Sequence, residues 1–191
     1  MRPTKEQARE NRQRIIETAA QLFRENGIHA VGIDAVMKGA GLTHGGFYGH
    51  FKSKDDLVAE AVSHAIRQGE SADPAIPSLE AFAAAYLAPS HRDAVGDGCA
   101  VAALGPEIAR LPAGQRGEIT DYVRSRIALI GKLQEEAGQK PDRARAIRDL
   151  SSLVGALVMS RLVEDPDLSD EILEDTLRMV SSGTGENSGI R

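Results

Sequence analysis

Between residues 41 and 54 the chain reads GLTHGGFYGHFKSK, and three glycines, Gly45, Gly46 and Gly49, sit among aromatic and polar residues at helical spacing. Glycine costs about 1 kcal/mol per position inside a helix relative to alanine, so stability gives no reason for three in one short segment. On a helical wheel Phe47 and Phe51 define one side, and the glycines fall on the other, flanked by His44 and Tyr48. Such a side has a physical use. Bare backbone lets a helix lie against the floor of a tight groove, while Thr43, His44 and Tyr48 at its margin reach base edges and phosphate oxygens of duplex DNA. The plainer alternative is a loop in which glycine only serves the turn.

The flanking residues favour the groove. Thr43 is placed to N-cap the short helix, with Leu42 before it and Phe47 four residues in as a hydrophobic staple. A second short apolar stripe, Ile33, Val36, Met37 and Ala40, precedes it across AGLT, the spacing of a helix–turn–helix whose second helix reads. Arg9, Arg12 and Arg14 lie upstream, and Lys52 and Lys54 downstream. Lys54 falls in the first turn of a further helix, where free N–H groups favour a phosphate. Residues 1–54 carry nine Lys/Arg against five acids, whereas the whole chain of 191 residues has a net charge of −5. A basic end on an acidic body fits a local polyanion contact, although an ordinary solvated surface looks similar.

Helical periodicity recurs along the chain and strand alternation does not persist. Ile15, Ile16, Ala19, Leu22 and Phe23 predict a helix over about 6–26, stopped by Gly27. Ser53 and Asp56 match a capping box that opens a helix with the stripe Leu57, Val58, Ala61, Val62, Ala65 and Ile66. GESADPAIPS, residues 69–78, marks a boundary. Beyond it LEAFAAAYLA, GCAVAALGPEIARL and stretches over about 113–137, 142–164 and 169–182 read as helices. The expected fold is all-α, with about nine helices. Residues 1–68 form a three-helix DNA-binding unit with its helix–turn–helix at about 33–51, residues 75–182 a second helical domain, and residues 183–191 a disordered tail.

Composition excludes other classes. The apolar runs fall far short of the ~18 residues of a membrane span. The polar N-terminus is not a secretory signal, and one cysteine forms no internal disulfide. A soluble cytoplasmic protein without membrane contact is expected. No GxGxxG, GxxxxGK[ST], HExxH or CxxC occurs, and the five histidines are scattered, so no enzyme, metal site or cofactor is expected. A helical ligand-binding protein that does not bind DNA is the rival class; salt-dependent binding of DNA separates the two.

Residues 10–62, above all AAQLFRENG and GAGLTHGGFYGHFKSKDDL, resemble the TetR family of bacterial transcriptional regulators. The resemblance implies an all-helical homodimer with an N-terminal DNA-binding unit and a larger C-terminal ligand-binding and dimerisation domain. It also implies repression as the default, with release from a palindromic double-stranded operator by a small-molecule effector; the residues themselves leave activation open. By position, Thr43, His44, Gly45 and Gly46 begin the recognition helix. Tyr48 and His50 resemble its DNA-facing aromatic and phosphate-contacting positions, and Lys54 its phosphate-binding lysine. The chain departs from the family at VGID, where Val31 and Gly32 stand in place of capping hydroxyls. The resemblance places the dimer interface on the last two long helices, where Ile147, Leu150, Val154, Leu157 and Val158 make a stripe; intrachain core is the other use of such a stripe. The effector pocket is expected among Phe82, Tyr86, Leu104, Ile108 and Tyr122; plain core is the other use of apolar residues at helical spacing. DGCAVAALGPEIARLP resembles a segment of one subgroup in which Gly-Cys opens a helix, and Cys99 there resembles a sensor of electrophiles or oxidants; a small buried apolar residue is the alternative.

Overall fold

A computed structural model describes residues 4–70, 76–111 and 116–182; the expected tail, 183–191, lies outside them. The described residues hold nine α-helices, one 3-10 helix and no strand, so the fold is all-α. In order they are α1 (Lys5–Asn26), α2 (Ile33–Gly39), the 3-10 helix η1 (His44–Gly49), α3 (Lys54–Glu70), α4 (Leu79–Tyr86), α5 (Pro89–Asp93), α6 (Ala100–Ile108), α7 (Gly117–Glu136), α8 (Arg143–Leu162) and α9 (Pro166–Ser181). No described helix is long and apolar enough to cross a membrane.

The chain divides into two compact units, one within Met1–Pro74 and Ala94–Tyr122, the other within Ala75–Asp93 and Val123–Arg191. The division is therefore not a single cut near residues 69–78, and α3 runs on to Glu70 through the first part of that stretch. Residues 94–122 join the N-terminal helices because α6 buries Ala100, Leu104 and Ile108 in the cluster that holds Phe23, Phe47 and Ile66. An apolar stripe predicts burial, but not the core in which it is buried.

In the first unit, α1 begins with a capping box that the sequence analysis did not identify. Thr4 Oγ1 accepts from the Gln7 N–H at 3.2 Å, and Gln7 Oε1 accepts from the Thr4 N–H at 2.9 Å, which satisfies two orphan donors. The helix ends at Gly27, whose φ of 81° favours glycine and whose N–H donates to Phe23 O at 2.8 Å. A side chain on Gly39 would bring its Cβ within 2.8 Å of the stiff Thr18 methyl, so glycine there allows α2 to approach α1. At the head of α3, Ser53 Oγ accepts from the Asp56 N–H at 3.1 Å, while Asp56 accepts from the Lys52 N–H at 3.1 Å. The expected capping box thus forms with its return bond shifted by one residue.

The second unit packs Leu79, Ala83, Ile130, Leu133, Leu153, Leu173 and Val180 into one core. Its helices start on side-chain caps: Ser78 accepts from the Ala81 N–H, Asp142 from that of Arg145, and Asp165 from those of Asp167 and Leu168. The five-residue α5 was absent from the sequence reading because it buries no residue. Polar ties hold it instead. Arg161 donates to the carbonyls of His91 and Arg92 at 2.9 Å, and Arg92 donates to Ser169 at 2.9 Å and Asp170 at 2.6 Å. Gln134 Nε2 donates to Asp149 at 2.8 Å inside this unit. Burial pushes the Asp149 carboxyl above its ordinary value, against the opposite pull of Arg145 and Gln134.

Candidate DNA interface

The segment expected to be a short α-helix over 43–51 is a 3-10 helix over His44–Gly49. Six residues with three glycines contribute little helical stability of their own, and the tighter i to i+3 winding is common in such short pieces. The Gly46 N–H donates to Thr43 O at 3.0 Å and the His50 N–H to Phe47 O at 2.9 Å. What anchors η1 is Phe47, wholly buried and stacked on Phe51 with ring centres 5.6 Å apart. Gly41, at φ 70°, supplies the left-handed turn from α2 into this segment. Thr43 occupies the N-cap with extended backbone, but its side chain caps nothing. Gly32, the N-cap of α2, also lacks a side-chain bond, as VGID implied.

Thr43, His44, Gly45, Gly46, Tyr48 and Gly49 are all exposed. A Cβ on Gly45 or Gly49 would meet nothing within 4 Å, and one on Gly46 would only touch Met37 Cε at 3.5 Å. Packing within the chain therefore demands no glycine at 45 or 49. Tyr48 is 66% exposed although it stands edge-on to Phe47 at 5.2 Å. His44 pairs through Nδ1 with the Asp34 carboxylate of α2. His50 is half-buried and tilted over Phe51.

Two expected phosphate contacts have internal partners. Lys54 Nζ donates to the carbonyl of Ile28 at 2.7 Å, bracing the α1–α2 turn, and an ammonium keeps two further donors. Arg12 forms a two-pronged pair with Glu60 of α3, one prong at 2.5 Å, and its guanidinium lies 4.7 Å from the Phe51 ring centre. That pairing raises the Arg12 pKa further, and Arg12 is a strut between α1 and α3. Arg9 is exposed. Glu107 of α6, which sequence reasoning missed, accepts from the Ile28 N–H at 2.9 Å. No spacing in the sequence signals a contact across 79 positions.

The residues expected to line one effector pocket fall in different cores. Leu104, Ile108 and Tyr122 belong with the first cluster, Phe82 and Tyr86 with the second. Of these, Ile108 borders a cleft of about 470 Å3 in the first unit, walled by Val58, Val62, Ile66, Leu111 and Ile119. Cys99 is half-buried and is itself the N-cap of α6, so Gly-Cys opens a helix here as the resemblance implied. Nearby Arg24 is buried, with its Nε on Gly96 O at 2.5 Å. Burial lowers the Arg24 pKa, and Asp97, Cys99 and Glu25 oppose that shift. In the expected dimer stripe, Ile147 is exposed, and Leu150, Val154 and Val158 are half-buried. Leu157 is completely buried within its own chain and belongs to the interior.

A family described as bacterial regulatory proteins, tetR family, matches residues 15–61. Fifty-nine residues are 42% identical to the HTH-type transcriptional regulator AcrR of Shigella flexneri, covering 31% of this chain and 27% of that one. A longer match of 168 residues, 26% identical, joins 82% of this chain to 87% of the uncharacterized HTH-type transcriptional regulator YxaF of Bacillus subtilis. SCO4454, a TetR-family transcriptional regulator from Streptomyces coelicolor, has a TM-score of 0.64 and 27% identity over 90% of both chains. The reduced form of E. coli NemR has a TM-score of 0.70 over 91% of this chain and 98% of that chain; at 20% identity this is a likeness of fold. Sequence and architecture agree: residues 15–61 match the tetR family of bacterial regulatory proteins, and the all-helical fold is similar to that of TetR-family regulators over about 90% of the chain.

Proposed function

We propose that this DNA-binding regulator acts as a homodimeric repressor, released from a palindromic operator by a small molecule or an electrophile that reaches its helical body. The observation that carries the reading is the outward surface of η1, where Gly45 and Gly49 have no neighbour that would exclude a side chain. Bare backbone there suits close approach to a groove floor, with Thr43, His44 and Tyr48 exposed beside it. Two such segments sit in successive major grooves, with half-site centres about 34–36 Å apart. Arg9, Lys52 and the remaining donors of Lys54 neutralise phosphates, which makes affinity fall with salt.

A second copy suits α8 and α9, which expose Ile147, Met159, Leu162, Leu168 and Met179. The cleft bordered by Ile108 is the place for a small molecule, and Cys99 the place for an electrophile. Replacing Cys99 by serine is expected to leave DNA binding intact and to abolish release by N-ethylmaleimide; a variant released as readily as the parent ends the electrophile branch.

Tyr48→Ala tests the reading head. Gel shifts on an operator fragment selected from genomic DNA should show about a tenfold loss of affinity, the order of one good contact. Thermal melting should not change, because so exposed a ring contributes little to packing. Parent-like binding by both Tyr48→Ala and His44→Ala would remove η1 from the interface.

A further inference from the structure

We propose that Asp34 is a positioning residue for DNA reading: its carboxylate holds the Nδ1 proton of His44, so that one defined nitrogen, Nε2, faces the operator. The inference rests on the reading of η1 as the DNA-facing segment. A carboxylate beside that surface is otherwise out of place, since phosphates repel it. Its position in the first turn of α2 favours an acid at the positive end of the helix, but it does not require a partner in η1. Stability does not explain the pair either. The Asp34 side chain is 83% exposed and that of His44 54%, and exposed ion pairs contribute about 0–1 kcal/mol. What the pair does accomplish is orientation.

A carboxylate only accepts, so Nδ1 is the protonated nitrogen in this contact. The ring then has a fixed flip and a fixed tautomer, and Tyr48 stands edge-on to it with ring centres 6.4 Å apart. Nε2 is left as the ring's other polar atom, the one not engaged by Asp34. In the neutral ring it is an acceptor, matched to the exocyclic amino group of adenine or cytosine in the major groove; in the imidazolium it is a donor, matched to guanine O6 or N7. Without Asp34 the ring turns over freely, either nitrogen reaches the groove, and one base pair is no longer distinguished from the others. Three glycines leave η1 few side chains with which to discriminate bases, so the orientation of His44 has a large share in specificity.

Selection from a pool of random-sequence DNA duplexes tests this, with the full-length parent, Asp34→Ala, Asp34→Asn and His44→Ala compared. The parent should show a base preference in each half-site that His44→Ala loses. Asp34→Ala should flatten the same position, by up to about fivefold in relative affinity, and combining it with His44→Ala should flatten it no further. Asp34→Asn should retain the preference, because its Oδ1 still accepts the Nδ1 proton. Asp34→Ala with the parent's preference, or with a uniform gain of affinity on every sequence from the lost negative charge, overturns the inference while leaving η1 as the reader. If His44→Ala selects the same sequences as the parent, the inference falls with its premise.

Discussion

Phe47→Ala is expected to destabilise the first unit by about 3–5 kcal/mol, the range for deleting a buried aromatic ring, and to abolish operator binding. Phe47 is wholly buried and stacks on Phe51, which in turn carries the Arg12 guanidinium over its ring. No other residue of η1 is buried. The segment therefore holds its place through one buried side chain, while its exposed glycines add conformational freedom that opposes order. Total stabilities of about 5–15 kcal/mol make such a loss a large fraction of the whole. Denaturant unfolding followed by circular dichroism measures it; a shift below about 1 kcal/mol would show that η1 is anchored elsewhere. Phe47→Leu, which retains most of the volume, should cost under about 1.5 kcal/mol.

The second large effect is expected at Glu107. Both backbone groups of Ile28 are held by side chains, the N–H by Glu107 of α6 at 2.9 Å and the carbonyl by Lys54 of α3 at 2.7 Å. Ile28 is buried in the turn from α1 to α2, so an orphaned N–H there costs about 1–3 kcal/mol. Glu107→Ala should lose that amount and should speed hydrogen exchange at the Ile28 amide. Glu107→Gln keeps an acceptor without the charge and should lose roughly half as much, since charge-assisted bonds are about twice as strong as neutral ones. Unchanged exchange at Ile28 in Glu107→Ala would mean that the carboxylate does not hold the turn. The pairing also ties α6 to the turn that leads into α2.

These two contacts show where the sequence was informative. The buried role of Phe47 followed from its spacing with Phe51 and Leu42, because apolar residues one turn apart share a side wherever they occur. The stop at Gly27, the cap at Ser53 and the order of the long helices were legible for the same reason: each depends on residues within about one turn of one another. The all-α fold and the family resemblance rest on such local patterns. Glu107 was not legible, because its partner lies 79 positions away and a carboxylate on a helix looks the same whether it meets solvent or a backbone N–H.

The same limit separates Arg9 from Arg12 and Lys52 from Lys54. By sequence all four are cations flanking a reading segment. The tertiary structure gives Arg12 to Glu60 and Lys54 to Ile28 and leaves Arg9 and Lys52 exposed. It likewise places α6 in the first core, sends Leu157 inward from a stripe that suggested an interface, and winds η1 as a 3-10 helix. By itself the sequence determined which of the longer segments are helical and which face of each is apolar, because backbone propensity and side-chain periodicity are local. Only the tertiary structure decided which faces meet and which charges are already paired, because those depend on distances between residues far apart in the chain.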